Sequence, residues 1–262
     1  MNIEPSPLRF YDDHLHLPTP DDEGLDRLLR HVDAHPEMVG GNLILNTEEE
    51  VAFVEAHLDK FPPHLTLVPY YPFDGTLPSA VTGSGWYKIH PVMARLTEDD
   101  IPAVCETVCD RRNAIKGLMV HYYPWGANLQ HEISLPLIIA LARAMPATPI
   151  VATHGGGYES WPLRAHTGSL PNVLYDFAVT MSYYAGSDVL MPFQVYLTTR
   201  PNRLLFGSDW PSAEPGPQLA ECLRLAGETG IAAPVLEAAL LQNAARLWPA
   251  AETALRPEVD DA

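Results

Sequence analysis

Short apolar runs alternate with longer amphipathic stretches along almost the whole chain, at residues 8–11, 42–45, 65–70, 86–89, 115–120, 149–153, 173–177 and 203–206. Each run is brief, and most are rich in Val, Ile, Leu or aromatic residues, as expected of parallel strands buried on both faces. Between them, apolar residues recur at three- and four-residue spacing, which gives a helix one buried side. Residues 22–34 place Leu25, Leu28, Leu29 and Val32 on one such side. Residues 48–61 follow Thr47, with Glu50 three positions on as in a capping box, and 97–111 open likewise on Thr-Glu-Asp-Asp. Further helices are predicted over 134–144, 182–198, 218–227 and 234–247. Residues 72–85 hold too many Gly and Pro for a helix, so a loop is expected where the third helix would stand.

Eight alternating β and α units predict a (β/α)8 TIM barrel, an α/β fold in a single domain over residues 1–250. Residues 251–262 read as an acidic C-terminal tail. A doubly wound open sheet is the rival arrangement. No GxGxxG or GK[ST] element follows a strand, which weakens its nucleotide-binding version.

Composition narrows the partners. The 262 residues are 47% hydrophobic and 19% charged, ordinary for a globular chain, but 33 acidic against 16 basic residues leave a formal charge of −17. That balance disfavours nucleic acid and anionic membranes, both of which need clustered Lys and Arg. Cys105, Cys109 and Cys222 form no CxxC pair and read as small buried apolar residues in a reducing compartment. The chain opens without a basic segment leading into an apolar one, and no stretch approaches the ~18 apolar residues of a membrane span. The expectation is a cytoplasmic protein acting on a small molecule, with a homodimer as the commonest assembly.

Barrels of this kind carry their chemistry at the C-terminal ends of the strands. There the sequence places His14 and His16, His90, His121, His154 and Asp209. Side chains alternate along a strand, so His14 and His16 point to one side, and two imidazoles together suit a zinc-class ion. Asp12 has the same parity and is expected to orient an imidazole. His121 ends an apolar strand and is a third candidate ligand, in competition with His90. Asp209 ends Leu-Leu-Phe-Gly-Ser-Asp, where Gly207 is expected to let the backbone turn tightly. His154 precedes Gly155, Gly156 and Gly157, a run that points to close approach of backbone to a ligand. His31, His35 and His57 fall on helical segments, where a structural role is expected.

Asp12-Asp-His-Leu-His16, Lys88-Ile-His-Pro91, Val120-His121, Thr153-His-Gly-Gly156, Leu205-Phe-Gly-Ser-Asp-Trp-Pro211 and Asn243-Ala-Ala-Arg-Leu247 run in an order that resembles the amidohydrolase-2 family, the aminocarboxymuconate-semialdehyde decarboxylase-like branch of the amidohydrolase superfamily. The resemblance spans nearly the whole chain. It implies one divalent metal, Zn2+ or alternatively Mn2+, held by His14, His16, His121 and Asp209. It further implies His154 as catalytic acid/base, with Asp209 sharing that role. Lys88, His90, Arg95, Tyr122, Trp125 and Trp210 are the expected substrate-binding residues. A metal-activated water attacking an amide, lactone or ester is the leading reaction. Non-oxidative decarboxylation of a small aromatic or unsaturated acid at the same site is the alternative, and a non-catalytic small-molecule-binding barrel is the third reading.

Overall fold

The computed structural model describes residues 8–73, 82–125, 133–249 and 251–252. Eight parallel strands are present: β1 (Phe10–His16), β2 (Met38–Leu45), β3 (Leu65–Pro69), β4 (Trp86–Ile89), β5 (Gly117–His121), β6 (Ile150–Thr153), β7 (Val173–Asp176) and β8 (Leu204–Leu205). Their order is sequential, β1-β2-β3 and β4 through β8. Two isolated bridges join the runs, Tyr70 to Lys88 and Leu15 to Trp210. The second is reinforced by Asp13 N to Phe206 O at 2.9 Å, Asp209 N to His14 O at 2.8 Å and His16 N to Trp210 O at 2.8 Å. The sheet therefore closes on itself as a (β/α)8 barrel, the fold expected, in one domain.

Helices wrap the outside. They are α1 (Asp22–Ala34), α2 (Glu48–Ala56), α3 (Ile101–Asp110), α4 (Ser134–Ala144), α5 (Ser160–Thr167), α6 (Thr180–Tyr183), α7 (Met191–Thr199), α8 (Pro215–Thr229), α9 (Ala233–Glu237) and α10 (Asn243–Ala245). Start signals in the sequence act as read. Thr47 Oγ1 accepts from Glu50 N, and Thr97 with Asp100 completes a capping box just before α3.

Several boundaries differ from the pattern. Strand β1 continues through Asp-Asp-His-Leu-His, where Asp12 Oδ1, His14 Nδ1 and His16 Nδ1 find partners inside the barrel, so the loss of hydrophobicity does not end the pairing. The helix expected at 182–198 is broken into α6 and α7, with Gly186 at φ 73° between them and Pro192 in the first turn of α7. Helix α5 was not expected, since the glycine run and Pro162 mask it. The C-terminal stretch expected as one helix is α9, a π-helical turn (Ala238–Gln242) and α10. Residues 74–81 of the expected loop, and 253–262 of the expected tail, lie outside the described residues.

The core has two parts. Outward-facing strand residues pack on the helices. Inside the barrel Tyr11, Ile44, Val68, Trp86, Met119, Val151 and Leu205 meet Leu241, Ala244 and Trp248, which close the lower end. Trp248 stacks on Tyr11 at 5.6 Å and lies 4.8 Å from Trp86, ring centre to ring centre. Among the described residues no helix is long and apolar enough to cross a membrane.

Candidate metal centre and its pocket

Along the inward faces of four strands, a residue two or four positions after the apolar plug is polar or reactive. Trp86 is followed by Lys88 and His90, Met119 by His121, Val151 by Thr153, and Leu205 by Gly207 and Asp209. Strand β1 has a register irregularity between Asp12 and Leu15. It re-aims the chain so that Leu15 packs outward while His14 and His16 face the mouth. His154 and Asp209 adopt positive φ, 62° and 68°, and Val179, which lines the same pocket, does so at 55°. Left-handed backbone is rare for such residues, rarest for a β-branched one, and concentrates where structure serves function.

The imidazoles are oriented from behind. His14 Nδ1 donates to Asp176 Oδ2 at 3.1 Å, which leaves the lone pair on Nε2. His16 Nδ1 donates to the Ile44 carbonyl at 3.3 Å, and His154 Nδ1 to the Ala178 carbonyl at 3.2 Å. The free nitrogens converge. His16 Nε2 lies 3.2 Å, and His14 Nε2 3.5 Å, from Asp209 Oδ1. His154 Nε2 is 3.1 Å from His121 Nδ1. Ligand atoms of His14, His154 and Asp209 all fall within 4.8 Å of one another.

Burial pushes the pKa of His14, His121 and His154 below the ordinary imidazole value, and drives His90 down to about 3. These rings stand neutral. Burial alone would raise the Asp209 carboxyl, but the close approach of His16, His154 and His14 outweighs it and holds the pKa well below the usual carboxylate range. His14 Nε2 is buried and makes no hydrogen bond. Neutral imidazole lone pairs gathered round a carboxylate, with one buried nitrogen left without a partner, are the donor set of a zinc-class ion, and the residues present fit one.

Lys88 is fully buried, with Nζ 3.1 Å from Thr153 Oγ1. Burial lowers its pKa to about 8 against the pull of Asp176, Asp209 and Asp13. His90 stacks on His121 at 3.8 Å, and its Nδ1 accepts from Met93 N. In the neutral ring the proton is then on Nε2, which suits a donor to substrate better than a metal ligand.

The cavity above measures about 370 Å³ and is lined by His16, Lys88, His90, His121, His154 and Asp209 at its base, with Tyr123, Trp125 and Tyr183 at its rim. The structure thus gathers every residue expected as metal-binding or catalytic. It also redraws their relations. His154 lies among the ligand atoms, and His121 is joined to it by a hydrogen bond.

Three expected substrate residues do not line the cavity. Tyr122 is buried with its hydroxyl on Glu159 Oε2 at 2.8 Å, because the chain turns under the mouth just past His121. Trp210 is tucked beneath, stacked on His31 at 4.3 Å, because the left-handed turn at Asp209 sends it outward. Arg95 is exposed in the turn after β4 and is not among the lining residues. Other local readings also change. Asp12 Oδ1 accepts from the backbone N–H groups of Ser208 and His14 and does not hold an imidazole. Gly207 is required for close approach, since a Cβ there would lie 2.5 Å from Asp13 Oδ1 and 2.7 Å from His14 Cβ. The three glycines after His154 have positive φ and pack on Phe177, Tyr122 and Tyr123.

Asp176 is the principal residue the sequence reading missed. Its Oδ1 accepts from the backbone of His154 and Ala178, both at 2.9 Å, while Oδ2 holds His14. The available signal was an Asp at the end of an apolar strand. Asn46, Tyr183 and Ser212 of the lining were missed as well.

The Amidohydrolase family model matches residues 14–250. The chain belongs to the amidohydrolase-2 family, a family of enzymes that uses a divalent metal. Solved structures share the fold. An Agrobacterium tumefaciens protein, ATU3138, aligns with TM-score 0.61 and 18% identity over 93% of this chain and 96% of that one. A dihydroorotase from Campylobacter jejuni aligns with TM-score 0.60 and 15% identity over 91% and 82%. A 2,6-dihydroxybenzoate decarboxylase aligns with TM-score 0.57 and 16% identity over 91% and 98%. Identities this low carry the fold alone. No curated protein matches the chain in sequence.

Proposed function

We propose that the protein is a metal-dependent hydrolase that opens an amide, lactone or ester bond in a small carboxylate-bearing molecule. The observation that carries this reading is the convergence of His14 Nε2, His16 Nε2 and Asp209 Oδ1 beneath a pocket with an oriented, neutral His154 on its wall. His14, His16, His121 and Asp209 would hold the ion. When bound, a zinc-class ion lowers the pKa of an adjoining water to roughly 7 and stabilises negative charge on a carbonyl oxygen.

The chain's own residues supply the remainder. His154 Nε2 carries its lone pair because Nδ1 is tied to Ala178, and it shares that lone pair with His121 Nδ1; once released from His121 it can accept a proton and return it to a leaving group. Asp176, bonded to the backbone of His154 and the ring of His14, keeps base and ligand in fixed relation. Lys88 Nζ and the Nε2–H of His90 face the cavity as the donors available to a substrate carboxylate. Tyr123, Trp125 and Tyr183 narrow the mouth against water.

A second reading is favoured by that rim. Trp125 and Tyr183 are 50% and 55% exposed and meet edge to face at 5.1 Å. Such a wall suits a planar acid, and non-oxidative decarboxylation of a small aromatic or unsaturated acid would use the same donors. The test is a panel assay on zinc- or manganese-loaded protein, with proton release followed for esters, lactones and amides, and carbon dioxide release for aromatic acids. Hydrolysis with no carbon dioxide supports the first reading. Carbon dioxide release without hydrolysis replaces it with the second, and inactivity on both panels in metal-loaded protein counts against an enzyme of either kind.

A further inference from the structure

A second cluster of metal-type donors lies on the outer wall, away from the mouth. His31 and His35 stand one turn apart at the end of α1, with ring centres 4.7 Å apart. Positions i and i+4 share a helix face. Glu214, the residue before α8, comes to meet them, with its Oε2 3.7 Å from His31 Nδ1 and 3.9 Å from His35 Nε2. One ligand atom from each of the three falls within 4.8 Å of the others.

These separations are too long for hydrogen bonds. Donors around a tetrahedral zinc-class ion sit about 3.3 Å apart, given bonds of about 2.0 Å. A contraction of roughly half an ångström would bring both His–Glu214 separations to that value. The second nitrogen of His35 supplies an independent sign, because Nδ1 lies 3.3 Å from Glu37 Oε1. With its proton on Nδ1 and donated to Glu37, His35 directs the Nε2 lone pair at Glu214. A carboxylate behind a histidine whose other nitrogen faces a shared acceptor is the arrangement that orients metal-binding imidazoles.

His31 is buried against Trp210, its Nε2 has no hydrogen-bond partner, and its Nδ1 opens toward Glu214. The Glu214 side chain is 61% exposed, which gives an ion from solvent both entry and room for water as a further ligand.

We propose that His31, His35 and Glu214 form a second site for a zinc-class divalent cation, fastening the end of α1 to the start of α8. The consequence would reach the active end through the chain. Glu214 and Trp210 belong to the segment that begins at Asp209, and Ser212 N already bonds back to Asp209 O at 2.8 Å. An ion in this cluster would pin that segment from outside, without entering the cavity.

The test is equilibrium dialysis of the full-length protein against buffered micromolar zinc, with bound metal counted per chain. His35→Ala and Glu214→Gln alter exposed or half-exposed side chains and are expected to fold. Each is expected to bind one equivalent fewer than wild type, and to lose a zinc-induced rise in Tm that wild type shows. Glu37→Gln is expected to keep the equivalent with affinity weakened about 10-fold. The same loss is expected on an Asp209→Asn background, so the readout stands whether or not the central site holds metal. If His35→Ala and Glu214→Gln bind as much zinc as wild type, the cluster is an ion pair of the wall and the proposal is overturned.

Discussion

In the lower half of the barrel the inward side chains are Tyr11, Ile44, Val68, Trp86, Met119 and Val151, closed from below by Trp248. In the upper half, one pleat further along the same strands, they include Asn46, Lys88, His121 and Thr153, with His14, His16, His154 and Asp209 beside them. The strands are common to both halves, and a step of two residues separates core from chemistry. The lower half gains by excluding water from rings and methyls. The upper half buries polar groups that each need a partner. It meets part of that need by sharing acceptors such as Asp176, and it leaves His14 Nε2 and both carboxylate oxygens of Asp13 without a partner. A single closed sheet can therefore be tuned for packing at one end and for a ligand at the other.

Substitutions divide accordingly. Asp209→Asn strikes the upper half hardest, since it removes the one anionic donor among neutral imidazoles. Central metal is expected to be lost and turnover to fall to background, with Tm little lowered in metal-free protein, as measured by metal content, assay and thermal melting. Trp248→Ala strikes the lower half, and removal of its buried indole is expected to cost about 3–5 kcal/mol, seen as a fall in Tm of roughly 10 °C. Metal content of the folded fraction should be unchanged. A loss of metal there would show that the two halves are not separable.

Asp176→Asn sharpens the boundary. The amide cannot hold His14 in the required tautomer while still accepting from the His154 backbone, and metal affinity is expected to weaken about 10- to 100-fold in a zinc titration. Glu221→Gln touches neither half directly. Its carboxylate accepts from Gly186 N, in the segment behind Tyr183, and pairs with Arg224. Chiefly through Arg224 its pKa is lowered below the ordinary 4.5. A depressed carboxylate adds stability above its unfolded pKa and loses it as pH falls through the folded value. The variant is expected to melt about 2 °C lower at pH 7, with the difference vanishing in acid. A gap that persisted at low pH would mean the Gly186 bond, not the charge, matters.

The barrel and the gathered donors were legible because both depend on short-range pattern. Apolar runs mark strands, and His121, His154 and Asp209 announce themselves by ending such runs. Direction after the strand end is a tertiary matter. Trp210 turns away beneath Asp209, and Tyr122 is drawn down to Glu159, because of backbone turns that no local spacing records. Asp176 was hidden within an apolar run, since a buried acceptor is recognised only once its three donors are known. His31 and His35 read as an ordinary helix face until Glu214 arrived from far along the chain.

The most direct measurement is an anomalous difference map at the zinc absorption edge from a crystal grown in zinc. A peak is expected at the barrel mouth within bonding distance of His14 Nε2, His16 Nε2 and Asp209 Oδ1. A crystal grown in zinc that shows no anomalous density between these three atoms would contradict it.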